Sequence, residues 1–287
     1  MKIAACVILY HPKEKDLQNI NTYLSKVDKL YVYDNTEKSS LSFFRKEINE
    51  KIVYISDQEN KGIAIRLNQA CNQAIIDGYD FLLTMDQDSS FSEDNLDHYF
   101  NLVSNYYDID SVAQFGIEYL EQKSCSNEKR IQNTENYALI TSASILVLRN
   151  YKKTEAFDEN LFIDGVDFDY CLSAKKNGLK CILFENLFFN HTVGAKIKRR
   201  SIKTLYLLKK EKYLCSPIRI YYLVRNTLYL KSKWETLFPD YISKLVKANE
   251  SSVNTNRNYS YNIFEFYKFK RKAVSDFKNK KMGKIDS

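Results

Sequence analysis

Two aspartates one residue apart, Asp86 and Asp88, follow an apolar run of strand length, Phe81 to Met85, and give way at once to Ser89 and Ser90. Alternate positions of an extended segment point the same way, so both carboxylates can face one ligand. In open α/β sheets ligands gather beyond the carboxyl ends of the strands. The chemistry this pattern serves best is a hard divalent cation carrying substrate phosphates, because Mg²⁺ or Mn²⁺ takes one or two carboxylates and leaves its other positions to phosphate and water. Asp-x-Asp is also ordinary turn chemistry. Its weight therefore depends on companions elsewhere in the chain.

The elements that must carry these residues read as alternating strands and helices. Apolar runs predict strands over Ile3–Leu9, Lys29–Tyr33, Lys51–Ile55 and Phe81–Met85, and helical spacing falls on Lys13–Lys26 and from Asn60 to about Gly78, with a short helix over Leu41–Asn49. Such alternation implies a mostly parallel sheet covered on both faces. Further on, Glu93–Tyr107 reads as a helix and Val112–Tyr119, Ala138–Leu148 and Lys180–Phe184 as strands, with a polar loop over Glu121–Asn136 near the substrate. Three more acids, Asp164, Asp167 and Asp169, open a helix that stops at Asn177-Gly178. Beyond Ala195 the spacing is helical, broken by a polar gap at Ser251–Tyr261.

Taken in order, Tyr10-His11-Pro12, Asp34-Asn35, Asn60-Lys61-Gly62-Ile63-Ala64 with Asn68, Asp86-Gln87-Asp88, Asp164 to Asp169, His191-Thr192-Val193-Gly194 and Tyr221-Tyr222-Leu223-Val224-Arg225-Asn226 resemble glycosyltransferase family 2, in its rhamnosyltransferase-like branch. The resemblance covers about residues 3–230. It implies a GT-A fold, an α/β sheet binding a nucleotide sugar. Tyr10, Pro12, Asp34, Asn35, Asn60, Gly62, Ile63, Asn68, Asp86, Gln87 and Asp88 then fall on the donor side, Asp34 accepting the ring N–H of a pyrimidine base. Asp88 and His191 become ligands of Mn²⁺ or Mg²⁺. Asp167 matches the position of the base of an inverting transfer, with Asp164 its competitor and Asp169 orienting or capping the helix. The implied donor is dTDP-rhamnose or a UDP-sugar, and the implied acceptor a glycan or lipid-linked glycan of a bacterial surface polysaccharide.

Composition narrows the alternatives. The net charge of +7 is split: residues 196–287 hold 23 Lys and Arg against 7 Asp and Glu, leaving 20 against 29 in residues 1–195. This divides the chain into a catalytic domain, 1–195, and a basic, aromatic-rich helical extension, 196–287. Aromatics mixed with cations from Phe264 to Lys284 suit an interfacial helix on an anionic membrane. The expected location is cytoplasmic, peripheral at the inner membrane face. Six cysteines without a CxxC pair read as reduced thiols. A haloacid-dehalogenase-like phosphatase also uses Asp-x-Asp after a strand, but wants Thr where Ser90 stands. A nucleotidyltransferase would want a glycine-rich turn after the first strand. Nucleic-acid binding through the tail finds no recognisable module, and the acidic front half opposes it.

Overall fold

The structure, a computed structural model, describes residues 1–41, 50–120, 130–192, 196–201, 205, 207–260 and 262–286. The helix expected over 41–49 and most of the loop expected over 121–136 lie outside these residues. The chain forms two compact units, 1–159 with 166–192, and 160–165 with 193–287.

The first unit is built on a nine-stranded sheet. Its strands are β1 (Ile3–Leu9), β2 (Lys29–Asp34), β3 (Ile52–Ser56), β4 (Phe81–Asp86), β5 (Ser89–Ser90), β6 (Val112–Leu120), β7 (Gln132–Glu135), β8 (Ser144–Val147) and β9 (Lys180–His191). They lie in the order β3-β2-β1-β4-β8-β6-β9-β5, with β7 also paired to β9. Strands β3, β2, β1 and β4 are mutually parallel. Strand β8 runs against both β4 and β6, and β9 runs with β6, so β6 and β9 share the direction of β4. The sheet is mixed but mostly parallel.

Sequence explains the centre of this sheet. Every residue of β1 except Ile8, and Phe81 to Met85 of β4, is buried, as strands covered on both faces require. Helices α1 (Glu14–Leu24), α2 (Gly62–Ile76), α3 (Glu93–Ser104), the single turn α4 (Leu148–Tyr151) and α5 (Val166–Lys176) accompany the strands. Helix α5 ends at Lys176, and the chain turns at Gly178 with φ +72° and leads directly into β9. It therefore runs back along the sheet, with its first turn toward the carboxyl ends of β4, β6 and β9. Cys6, Cys71, Cys171 and Cys181 are buried free thiols, and Cys215 an exposed one.

The second unit departs from the helical reading. It begins with an antiparallel hairpin, β10 (Lys196–Arg200) and β11 (Lys209–Tyr213), where continuous helix was expected. Helices α6 (Pro217–Trp234), α7 (Pro239–Asn258) and α8 (Ile263–Lys278) follow, and α7 passes through most of the polar gap expected at 251–261. Exposed helix faces are polar by nature, so a polar run alone does not mark a break. Helix α8 packs on α6, its Ala273 clustering with Tyr221 and Tyr222, and its Phe266 is buried as well. Phe264 and Tyr267 of the same helix stay exposed, so α8 is covered by protein on one side only. Arg225, fully buried, donates to the carbonyls of Gly283 at 2.7 Å and Lys281 at 3.5 Å, which ties down the C-terminal segment.

Candidate active site

Asp86 ends β4, and Asp88 lies two residues on, in the turn to β5. Strand β5 pairs with the end of β9, Ser89 opposite His191. The pairing brings a residue a hundred positions away against the Asp-x-Asp motif. One ligand atom each from Asp86, Asp88 and His191 lies within 4.8 Å of the others. His191 Nδ1 is 3.3 Å from Asp88 Oδ1 and 2.8 Å from Ser89 Oγ. Burial alone would lower the imidazole pKa, but contact with Asp88 and the charge of Asp86 outweigh it and raise it. Negative potential at this point is what a cation would meet. Two carboxylates and an imidazole form a donor set suited to Mn²⁺, whose preferences span oxygen and nitrogen, better than to Mg²⁺.

Residues not singled out in the sequence hold this cluster in place. Ser142 Oγ accepts from the Asp86 amide at 3.2 Å and donates to Ser89 Oγ at 2.7 Å, completing a relay to His191 through two buried hydroxyls. Thr84 Oγ1 donates to the carbonyl of Ser144 at 3.2 Å, and also to that of Thr141. The segment before β8 is thereby pinned to the end of β4. Small hydroxyl residues at strand ends are too common for this to be legible in advance.

Gln87 does not point toward the acids. Its Oε1 accepts from the Tyr10 amide at 2.7 Å and its Nε2 donates to the Tyr10 carbonyl at 3.3 Å, while its own carbonyl accepts from Asn19. These bonds join the loops that leave β1 and β4. Tyr10 is exposed, with its ring 4.2 Å from that of His11 and its hydroxyl donating to Glu37. Pro12 is half-buried.

At the ends of β2 and β3 Asp34 is folded inward. Its carboxylate is wholly buried and accepts from the amides of Thr36 at 2.9 Å and Ser40 at 2.8 Å and from the Tyr54 hydroxyl. Burial raises its pKa, but these donors outweigh it and hold it low. Asp34 is a folded-in anion that shapes the 35–40 loop. Asn35 is likewise buried. It donates to the Gly62 carbonyl at 3.1 Å and accepts from Arg66 Nε at 2.7 Å. Asn60 Oδ1 accepts from the Gly62 amide at 3.1 Å, closing a turn in which Gly62 holds φ +80°. Ile63, half-buried, follows in the first turn of α2.

Arg66 was not among the expected residues, yet it organises this corner. Fully buried, it pairs with Asp57, donates to the Glu59 carbonyl at 3.1 Å and lies 5.7 Å from the centroid of Tyr33. The available signal was an arginine between Ala64 and Leu67 on the apolar face of a helix. Asn68, two residues on, lies buried in the same helix. It donates to the Phe157 carbonyl and Glu159, and accepts from the Phe157 amide and the Tyr151 hydroxyl. Its amide is fully engaged in fastening the 151–159 segment to α2.

The second acidic cluster divides between the units. Asp167 stands in the first turn of α5, its Oδ1 accepting from the Phe168 amide at 2.9 Å. One turn later, Cys171 Sγ contacts the Leu139 carbonyl and accepts from Gln114. Asp169 is buried. Asp164 belongs to the second unit, where both its oxygens accept from Arg219, at 2.7 Å each. Burial raises its pKa and the guanidinium opposes the rise. Asp164 has φ +65° and Gly165 φ +87°, and Asn226 Nδ2 donates to the carbonyls of Ile163 and Asp164. The Tyr-Tyr-x-x-Arg-Asn pattern thus acts structurally: its arginine secures the C-terminus and its asparagine the loop before α5.

No family model matches the chain. It is 25% identical over 249 residues to the dTDP-rhamnosyl transferase RfbF of Shigella flexneri, across 80% of this chain and 80% of that protein. Among solved structures it resembles S. aureus TarS 1–349 in complex with UDP-GlcNAc, with TM-score 0.61, 13% identity and coverage of 96% of this chain and 80% of that one. It also resembles GalNAc-T7 with UDP, GalNAc and Mn²⁺, with TM-score 0.56, 11% identity and coverage of 97% and 57%.

Proposed function

Starting from a chain with the GT-A glycosyltransferase fold and a distant dTDP-rhamnosyl transferase homologue, we propose that this protein moves a sugar from a nucleoside-diphosphate donor to a glycan or lipid-linked acceptor with inversion. A rhamnosyl donor on dTDP is favoured, with a UDP-sugar second. Bacterial surface polysaccharide is the setting that the sequence resemblance implies. The observation carrying the reading is the meeting of Asp86, Asp88 and His191 at the carboxyl end of a mostly parallel sheet.

Asp88 and His191, with Asp86 beside them, would hold Mn²⁺ or Mg²⁺, which when bound offsets the charge growing on a diphosphate leaving group. The Asn60–Ile63 turn opens α2, whose positive N-terminal end favours the nucleotide part of the donor, the Gly62 amide itself being held by Asn60. Tyr10 and Pro12 flank the same end of the sheet. Asp167 is the assigned base. Its carboxylate takes the proton from the acceptor hydroxyl as that oxygen attacks the anomeric carbon, and the bond from that carbon to the phosphate oxygen breaks, the nucleoside diphosphate leaving with the electron pair. Asp164 is set aside as base because Arg219 occupies both its oxygens. Thermal-shift measurements with dTDP- and UDP-sugars, with and without Mn²⁺, test the reading. Stabilisation by one nucleotide class, enhanced by Mn²⁺ and lost in Asp88→Ala, is expected. A shift that ignores both Mn²⁺ and the substitution would refute it.

A further inference from the structure

The hairpin of the second unit has a composition that a free surface strand pair does not favour. Strands β10 and β11 hold seven Lys or Arg against Glu211 alone. The register sets Arg199 opposite Lys210 and Arg200 opposite Lys209, so like charges face each other on both sides of the ladder at the end nearest the turn. Like charges directly opposite destabilise a strand pair. Just beyond them stand Leu205, Leu207 and Leu208, exposed by 78%, 76% and 60%. Exposed leucines grouped beside a dense band of cations carry a meaning that a single surface leucine does not.

We infer that this hairpin docks the protein on an anionic bilayer, the leucines entering the boundary of headgroups and acyl chains while the exposed Arg200, Lys209 and Lys210 meet lipid phosphates, Arg199 being half-buried and donating to the Tyr259 carbonyl. Anionic headgroups relieve the repulsion between the facing cations. The leucines decide between a bilayer and a soluble polyanion, since only the bilayer offers them an apolar interior. Charge elsewhere agrees: residues 196–287 carry a large cationic excess, so an anionic surface attracts this part of the chain, whereas residues 1–195 are acidic in balance. Helix α8, the other basic and aromatic segment, buries Phe266 and Ala273 and leaves Phe264 and Tyr267 exposed, which is why it enters the test below as the control. The inference stands on the hairpin alone and does not rest on the donor assignment.

Co-sedimentation of the full chain with vesicles of phosphatidylcholine, with and without phosphatidylglycerol, tests it against three variants. These are Leu205→Ser/Leu207→Ser/Leu208→Ser, Arg200→Glu/Lys209→Glu, and a control in α8, Lys268→Glu/Lys270→Glu/Arg271→Glu. Binding is expected only to vesicles containing the anionic lipid. Either hairpin variant should weaken it roughly tenfold or more, since each cation near such a surface contributes a several-fold factor. The control should weaken it less. Unchanged circular dichroism would confirm that the exposed substitutions leave the fold intact. Equal binding by the leucine variant, no binding by the natural chain, or loss confined to the α8 variant would each overturn the inference. So would a change in oligomeric mass of the leucine variant with vesicle binding unaltered, which would assign the tip to self-association.

Discussion

Replacing Asp164 or Asp167 by asparagine separates the two acids that compete for the role of base. Asp164 accepts from Nε and Nη2 of Arg219 at 2.7 Å each, and the side chains are exposed by 18% and 47%. The pair sits between two known extremes. Exposed ion pairs contribute about 0–1 kcal/mol, and breaking a fully buried one costs about 3–5 kcal/mol. Because Arg219 can return to water, Asp164→Asn should cost about 1–2 kcal/mol. Asparagine tolerates the left-handed backbone at this position, so no conformational penalty is added. For a chain of this size the melting point should fall by roughly 2–6 °C. Release of nucleoside diphosphate from the donor in the presence of acceptor should fall less than about tenfold. Asp167→Asn should give the opposite pattern, an unchanged melting point and a turnover lowered by about 10²–10⁴, the usual worth of a general base. Thermal melting and chromatographic product release on both variants suffice. A hundredfold loss in Asp164→Asn without a melting shift, beside full turnover in Asp167→Asn, would refute the assignment.

Three further outcomes can be checked. Gly165→Ala places a side chain at φ +87° with its Cβ 2.7 Å from Leu230 Cδ1. Urea unfolding should show a loss of about 1–3 kcal/mol. Arg66→Met leaves Asn35 and the Glu59 carbonyl without their buried donor. It should cost about 1–3 kcal/mol by the same unfolding assay, Asp57 keeping Lys61 and its contact with water, and weaken nucleotide-induced thermal shifts. Asp57 is held below its ordinary pKa by hydrogen bonding to Arg66, against a smaller opposing effect of burial, with Lys61 assisting. A depressed folded pKa gives stability that is present above the unfolded value and lost as pH falls toward the folded one. Asp57→Asn should thus be less stable than the natural protein by a constant margin from pH 8 to about 4, narrowing below. The side chain is 35% exposed, so about 1 kcal/mol is the expected margin.

The sheet was legible where burial on both faces left an unbroken apolar run, as in β1, β2 and β4. It was not legible in β7, Gln132–Glu135, an edge strand with no apolar residue. The hairpin escaped for a similar reason, since Lys196–Arg200 and Lys209–Tyr213 carry charge at nearly every position and show no alternation of period two. Strand β9 runs on to His191, well beyond the stop expected at Phe184, because Glu185 and Asn186 look like a turn. They fall at an irregularity in its pairing with β6, Asn186 taking φ +64° and its amide donating to Glu118. At the site, acids were readable by type and spacing. Their surroundings were not: whether Asp34 faces solvent or folds inward, or whether Asp164 meets an arginine 55 residues away, depends on partners that no local pattern names.

The six residues from Asn160 to Gly165 have a bearing on how such a chain can be cut or recombined. The polypeptide leaves the first unit, is gripped by Arg219 and Asn226, and returns to begin α5. A fragment ending at Thr192 would strand Asp164 without its cation and leave two left-handed residues unsupported beside the proposed base. A chimera that exchanges the C-terminal portion must therefore import a matching 160–165 insert. The portions are modular in composition and interlocked in sequence.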